Sequence, residues 1–417
     1  MVSRNRYIGL LFLGLFLLFS CGKGDFDPID PRGGDGNPTR LPVEQVRHVL
    51  VFISGGHNSL STYMTEDLLD IESAYLPTGT DAGTNALVVL ARLPRNSYST
   101  TPAPVLFRMY RNADGAVVKD TLHRFQETDR IFEGNVIEES LNIVRDRLPA
   151  RSYGLLLSSH ASGWLPPGYY DNPSNFERSR VVRSIGQDKD SQGSVEMDLN
   201  DFAHALPYEF DYAILDCCLS GCVEVAWELR GKVKKVAFTQ SETMADGFDY
   251  KTIMSRLLEE PVPNPLGVCQ DFYNYYMAKS GVNQSATISL VETAKMDALA
   301  SVCQQLFSKY ASYIPLLNGN GVQGYFRYDR HYFYDLQDIV AHFPGITDEE
   351  LTALNDALSE CIVYKAATPW FMAGTQYGFR IRTHCGLSMY LPGMGSNYLN
   401  NYYKTHIAWN EATHLVP

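Results

Sequence analysis

The chain alternates short apolar runs with stretches in which apolar residues recur every three or four positions. Apolar runs rich in Val, Ile and Leu predict buried strands at 48–53, 86–93, 105–110, 153–159, 212–215, 233–239, 286–291 and 387–391. Helical spacing predicts helices at 60–73, 134–148, 198–206, 223–230, 264–279, 294–310 and 347–363. Strands that alternate with helices predict an α/β fold. We expect a mostly parallel sheet flanked by helices on both faces, with a C-terminal α/β extension.

The amino terminus predicts an export signal rather than part of the fold. Arg4 and Arg6 precede a short apolar core at 8–19, and a small residue then precedes Cys21, so residues 1–20 form the predicted signal peptide. The Leu-Phe-Ser-Cys-Gly run resembles a bacterial lipobox, in which Cys21 would carry the lipid. The alternative is an ordinary signal peptide with an incidental cysteine. With a lipid on Cys21, the protein would be exported and lipid-anchored in the bacterial cell envelope.

Composition suggests where the folded part begins and ends. Residues 21–42 are rich in Gly, Pro and Asp, which predicts a flexible tether. The main folded domain would span 43–292, and 293–417 would form a helical and mixed extension packed on the same domain. An irregular surface loop is expected at 165–197, and it carries Arg178, Arg180 and Arg183.

Charge and cysteine content narrow the classes of function. The net charge of −12 argues against nucleic acid as a partner. The 417 residues include 8 cysteines. Those other than Cys21 are odd in number, so at least one of these cysteines should be reduced or paired between molecules. No two Cys-x-x-Cys pairs occur, and we therefore expect no structural zinc site.

Two predicted strands each lead to residues that could take part in a nucleophilic reaction. The strand at 153–159 leads to His160, and the strand at 212–215 leads to Asp216, Cys217 and Cys218. Open α/β sheets place their sites at the carboxyl ends of strands, and a Cys/His pair is a nucleophilic site. Side chains alternate along an extended chain, so one cysteine should face the core and the other outward, where the following helix would favour its thiolate. The pattern does not choose between them.

Each of these residues could also have a role unrelated to such a site. Cys222 is expected in the first turn of that helix. All three cysteines, Cys217, Cys218 and Cys222, could be small buried apolar residues, or they could exchange disulfides. Asp216 could cap the helix rather than face a cationic substrate, and Asp246 could be merely solvated. His57, after the first strand, is expected to be a turn residue.

Four segments resemble the clostripain family of caspase-like cysteine peptidases. They are SSHASGW at 158–164, LDCCLSGCVEVAWEL at 215–229, TQSETMADGFDY at 239–250 and GLSMYLP at 386–392. The resemblance implies a caspase-like fold and hydrolysis of peptide or protein substrates, after Arg or Lys. It aligns His160 with the catalytic histidine and Cys218 with the nucleophile. The backbone N–H groups of Ala161 and Cys218 would hold the oxyanion.

The resemblance also implies a pocket for the substrate's basic side chain. Asp246 is the first candidate for the acid in this pocket and Asp216 the second, with Ser241 and Glu242 nearby in the same segment. Family members can cut themselves after the histidine, in the loop that corresponds to 165–197, although its arginines fit an ordinary surface cluster better. No cofactor is expected, except that calcium is implied by the resemblance alone.

Three residues depart from the family pattern. Ala161 replaces a glycine, Ser220 a methionine, and Thr243 a glutamate. These changes leave a rival hypothesis, a surface lipoprotein that keeps the fold and binds peptide or glycan without cleaving it. The main hypothesis is a cysteine endopeptidase that forms a Cys218 thioester with His160 as acid and base.

Overall fold

The computed structural model describes residues 46–79, 84–93, 102–166, 169, 185–190, 193–327 and 330–417. Its strands are β1 Val46–Ser54, β2 Thr84–Ala91, β3 Val105–Arg111, β4 Val117–Arg124, β5 Ala150–Ser158, β6 Ile185–Asp190, β7 Gly193–Met197, β8 Tyr212–Asp216, β9 Lys235–Phe238, β10 Thr287–Glu292, β11 Gly324–Arg327, β12 Arg330–Asp335, β13 Ile362–Ala367, β14 Trp370–Phe371, β15 Phe379–Arg380 and β16 Ser388–Met389. The predicted signal peptide, Cys21 and the cluster of Arg178, Arg180 and Arg183 lie outside the described residues.

The helices fall between these strands. They are α1 Ser61–Ser73, α2 Val136–Arg147, α3 Leu199–His204, α4 Val223–Glu228, α5 Tyr250–Met254, α6 Pro265–Met277, α7 Met296–Tyr310, α8 Leu336–Ala341, α9 Asp348–Cys361, α10 Asn397–His406 and α11 Ala408–Thr413. Helix α9 begins with a capping box, in which Thr347 and Glu350 each bond the other's backbone N–H. None of the helices described has the length and apolar character needed to cross a membrane.

One large sheet organises the fold. It holds nine strands in the order β13-β10-β9-β8-β5-β1-β2-β3-β4. The five central strands, from β9 to β2, run parallel, and the strands at both margins are antiparallel. The predicted α/β fold with a parallel centre is confirmed, and β2 and β3 form an antiparallel pair.

The central strands are apolar throughout because both of their faces are covered. In β1, Val49, Val51 and Ile53 pack into one core, and the alternating Leu50 and Phe52 pack into the other. Helix α2 covers the first core, whereas α5 and α6 cover the second. A run without polar alternation is what a strand between two helical layers requires.

Residues after 293 contribute to the same sheet. Strand β13 pairs with β10, and β16 pairs with β12 in a smaller sheet. Behind the Cys218 segment, the buried Glu224 of α4 accepts hydrogen bonds from the Tyr390 backbone N–H at 3.0 Å and the Tyr403 hydroxyl at 2.7 Å. The C-terminal segment therefore supports the helix that follows the cysteines.

The segment expected to be irregular, 165–197, contains the β6–β7 hairpin. Its sequence is polar and has no apolar alternation, so periodicity did not reveal it. Buried polar contacts hold it instead: Asp188 is fully buried and accepts hydrogen bonds from Arg92, the His57 N–H and the Ile131 N–H. The late strand at 387–391 is also shorter than expected, because only Ser388 and Met389 are paired.

Candidate active site

The register of two neighbouring strands brings the histidine and the cysteine to one edge of the sheet. Strands β5 and β8 are parallel neighbours, and Ser158 pairs with Asp216 at their carboxyl ends. His160 and Cys218 each follow their strand by the same number of residues. Both line a cavity of about 710 Å³ that opens at this edge. The two residue types that a Cys/His nucleophilic site requires therefore line one cavity.

The two adjacent cysteines have different surroundings. Cys217 is 2% exposed and donates its S–H to the Leu157 carbonyl, and burial raises the pKa of its thiol well above the usual range. Cys218 is half-buried, lines the cavity, and receives a hydrogen bond at Sγ from the Thr243 N–H at 3.4 Å. None of the seven cysteines that the structure describes forms a disulfide. Cys218 is therefore the cysteine that a substrate can reach.

A tight turn follows Cys218. Leu219 has a φ of 57°, a left-handed conformation that costs a non-glycine residue about 1 kcal/mol or more. Hydrogen bonds from Leu219 N to Ser241 O and from Gly221 N to Thr239 O hold the turn. Helix α4 begins only at Val223, and Cys222 is its N-cap rather than part of its first turn. The N–H beside the sulfur thus comes from Thr243, and not from the helix start as the sequence suggested.

His160 is fixed from two sides. Its Nε2 lies 2.8 Å from the hydroxyl of Ser59, in the loop after β1. Its carbonyl accepts a hydrogen bond from Gly186 N, and Ala161 forms a bridge with Ile185. The β6–β7 hairpin therefore supports the histidine loop, and Ser59 sets the direction of the imidazole ring.

Two aspartates lie in the same cavity. Asp216 is 8% exposed and accepts a hydrogen bond from the Tyr250 hydroxyl at 2.8 Å, while burial raises its pKa to about 6. Asp67 of α1 also lines the cavity, and burial, together with the nearby charge of Asp216, raises its pKa to about 8. Glu242, named from the sequence, lines the cavity as well.

Other residues named from the sequence lie outside this cavity lining. Asp246 is 57% exposed and accepts a hydrogen bond from Lys279 at 2.7 Å. Ser241 is fully buried and bonds Thr287, so it supports the loop from behind. His57 contacts the Lys189 carbonyl through Nδ1, which fits the turn role expected for it.

Comparison with known proteins identifies the family. The sequence model described as the clostripain family, peptidase group C11, matches residues 51–414, most of the chain. The chain belongs to the clostripain family. It is therefore a cysteine peptidase, and its substrates are peptides or proteins. No match was found among curated proteins.

Solved C11 structures share the fold. The inactive zymogen of a C11 protease from Parabacteroides distasonis is 27% identical, with a TM-score of 0.72 over 89% of this chain and 99% of that one. A secreted C11 cysteine protease from Bacteroides thetaiotaomicron, "iotapain", is 21% identical, with a TM-score of 0.73 over 89% and 100%. A structure of a secreted C11 cysteine protease from Bacteroides thetaiotaomicron in complex with an irreversible peptide inhibitor is 22% identical, with a TM-score of 0.70 over 88% of this chain and 98% of that one. The caspase-like clostripain fold is thus confirmed.

Several residues of this clostripain site were not found from the sequence. Asp67, Ser59 and the Thr243 N–H all reach the site from segments next to the predicted strands. The sequence offered one signal for the residues after β1. If β1 lies parallel and next to β5, the loop and helix that follow β1 begin at the same edge of the sheet as His160. Within the described residues, no group of three or more His, Cys, Asp or Glu is arranged to hold a metal ion. Calcium remains implied by the resemblance alone.

Proposed function

We propose that this clostripain-family protein hydrolyses peptide bonds through a thioester on Cys218, with His160 as acid and base, after Arg or Lys. The observation that carries the proposal is the shared cavity at the ends of β5 and β8, lined by His160, Cys218 and the buried carboxylate of Asp216. Such a reaction needs a nucleophile, an acid and base, and a group that recognises the basic side chain of the substrate. The cysteine, the histidine and the aspartate of this cavity could fill these three roles.

The reaction proceeds in two steps. Cys218 Sγ attacks the scissile carbonyl carbon, and the oxyanion accepts hydrogen bonds from the backbone N–H groups of Cys218 and Ala161. Each such donor is worth about 10²–10³ in rate. His160 takes the thiol proton of Cys218 as Sγ attacks, and gives it to the leaving amine as the C–N bond breaks, which leaves the thioester. His160 then takes a proton from water as the water oxygen attacks the thioester carbon, the C–S bond breaks, and the proton returns to Cys218 Sγ as the acid product leaves.

The surroundings of the sulfur support this nucleophile. The Thr243 N–H donates to Cys218 Sγ at 3.4 Å, and a donor of this kind favours the thiolate. The amide is a backbone group, so the replacement of the family glutamate by Thr243 leaves it in place. The Thr243 departure from the family pattern thus leaves this contact intact.

Ser59 is proposed as a positioning residue for His160. Because Nε2 bonds Ser59, the ring nitrogen that meets the reacting atoms is Nδ1. Ser59→Ala should lower kcat/KM about 2- to 10-fold, the usual worth of one hydrogen bond. The alkaline limb of the pH–rate profile should move to lower pH, since the imidazolium loses an acceptor. Ser59→Thr should restore the limb. An unchanged profile in Ser59→Ala would remove Ser59 from this role.

Cleavage after basic residues is supported by Asp216. A buried carboxylate whose pKa is raised by burial gains the most when a cation arrives to pair with it, and Arg adds a bidentate contact. The test is a panel of reporter peptides that end in Arg, Lys, citrulline or Gln before the reporter group. The wild-type chain should cleave the Arg and Lys reporters at least about tenfold faster than the neutral ones. Equal rates would exclude the basic preference, and no cleavage would favour the non-cleaving, binding rival.

We further propose that the chain is exported and anchored to the bacterial cell envelope through a lipid on Cys21. The apolar stretch at 8–19 and the Ser20–Cys21 junction support this. A lipid-modified amino-terminal peptide in the mass spectrum of the mature protein is its signature; an unmodified Cys21 would contradict it. The acidic net charge argues against nucleic acid as a partner for such a protein.

A further inference from the structure

One face of helix α1 forms a wall of the cavity. Leu60, at its N-cap, and Tyr63, Met64 and Asp67 line the cavity at the spacing that places side chains on one side of a helix. Asp67 is the last residue of this row along the helix. Asp216, at the end of β8, lines the same cavity, and the two carboxylates interact electrostatically. Two acids from different elements thus converge on the space beside Cys218.

Neither acid has a cationic partner in the part of the chain that the structure describes. The nearby Lys251 pairs with Asp70 on the same helix, and Lys279 pairs with Asp246. Lys189 lines the cavity but forms no ion pair with Asp67 or Asp216. Two converging carboxylates without a cation repel each other, so an incoming positive charge is the missing complement.

The groups that interact electrostatically with the pair carry no positive charge. On α1 itself, Glu66 and Asp70 add negative charge. From the neighbouring elements, the pair faces Cys217 and the hydroxyls of Tyr250 and Tyr276, none of which carries positive charge. The other titratable residues lining the cavity are Lys189, His160, Cys218, Glu196, Glu242 and Tyr63. Because burial and mutual repulsion favour the protonated acid, the pair of Asp67 and Asp216 retains a proton near neutral pH when no substrate is bound.

We propose that Asp67 is a second specificity-determining residue, which together with Asp216 receives the cationic side chain of the substrate, and that this binding releases a proton from the pair. The inference rests on the proposed peptidase function and names the recognition group of its substrate pocket. The proton leaves a carboxylic acid for solvent, and the carboxylate that remains pairs with the guanidinium or ammonium group. A guanidinium, with five N–H donors in a plane, can bond both carboxylates at once, so Arg should bind better than Lys.

Proton release gives the pocket a pH dependence with a definite sign. A cation binds the deprotonated pair, so affinity for a basic substrate rises with pH while the empty pair still holds its proton. The expected rise is up to about tenfold per pH unit between pH 6 and 8. A substrate with a neutral side chain of the same shape displaces no proton, and its affinity should not rise in this range.

The test measures binding without chemistry. Full-length Cys218→Ala protein is titrated by calorimetry with terminally blocked peptides that carry either arginine or the neutral isostere citrulline at the cleavage position. Repeating the titration at pH 7.5 in buffers of different ionisation enthalpy counts the protons released. Arginine should release a fraction of a proton approaching one, and citrulline none. No release with arginine would overturn the proposal, and this measurement requires no Asp67 variant to fold.

The variant pair tests Asp67 itself. In the Cys218→Ala background, Asp67→Asn should weaken binding of the arginine peptide about 10- to 100-fold, as expected for loss of a charged hydrogen-bond partner. It should also remove the proton release and leave citrulline binding unchanged. The matched control is Asp70→Asn, the same change one turn along α1 at a residue that pairs with Lys251 outside the cavity lining, which should alter both quantities far less. Equal behaviour of the two variants would exclude Asp67 as a specificity residue.

Two outcomes separate this inference from the proposed function. If the wild-type protein cleaves after Arg but Asp67→Asn binds like wild type, the inference fails and the peptidase function stands. If arginine binding releases a proton but the wild-type protein cleaves no peptide, the recognition pair stands and the proposed reaction fails.

Discussion

Replacing Cys218 with alanine is expected to lower kcat/KM on an Arg reporter peptide by about 10⁴-fold or more, because the residue that forms the thioester is gone. Cys217→Ala is the matched control, since it removes a sulfur from the adjacent position. Cys217 is buried under β5 and contacts the Leu157 carbonyl, so its loss should cost about 1 kcal/mol of stability and leave most of the activity. Initial rates and thermal unfolding of the two variants make the comparison.

The reversed pattern would contradict the assignment. If Cys217→Ala is inactive while folded and Cys218→Ala retains activity, the nucleophile is the other cysteine and the cavity has been misassigned. If both variants retain activity, the hydrolysis does not use a cysteine of this segment.

Asp216→Asn is expected to lower kcat/KM on Arg and Lys reporters by about 10²–10³-fold, because loss of one member of a buried charge pair costs several kcal/mol. Cleavage of a citrulline reporter should change little. The amide keeps the size of the side chain and can still accept the hydrogen bond from Tyr250. The ratio of the basic and neutral rates is the measured quantity, and an equal fall on both reporters would assign Asp216 a structural role instead.

The stability of Asp216→Asn provides the control for folding. The pKa of Asp216 is raised from its ordinary value of 3.8 to about 6, because burial disfavours its charge. The stabilisation from its protonated form is therefore complete below about pH 4 and is lost as pH rises through 6. Above pH 7 the folded protein holds an unfavourable carboxylate that asparagine lacks. The variant should unfold at the same or a higher temperature than wild type at pH 8.

The ends of the central strands were predictable from the sequence. Apolar runs without alternation mark strands covered on both faces, and the parallel arrangement of β5 and β8 brings His160 and Cys218 to the same edge. The sequence does not distinguish Cys217 from Cys218, because the directions of the side chains beyond Asp216 depend on the turn at Leu219. That turn is held by Ser241 and Thr239, which the local sequence does not reveal.

The pocket was less predictable than the nucleophile. Asp246 and Asp216 both follow strands that end at this edge, but Asp246 turns outward to Lys279. Asp67 belongs to a helix whose sequence has charged residues on several sides, so only the packing of α1 shows which one faces the cavity. The β6–β7 hairpin that supports His160 was missed for a related reason, since Asp188 holds it through tertiary contacts.

The most direct test of the central claim is the site at which an arginine-containing peptide with an irreversible thiol-reactive group attaches to the full-length protein. The mass spectrum should show one adduct, and peptide mapping should locate it on Cys218. The reaction should be much slower in His160→Ala, which lacks the partner that promotes the thiolate. An adduct on Cys217, equal labelling of several cysteines, or labelling that is unaffected by His160→Ala would contradict the account.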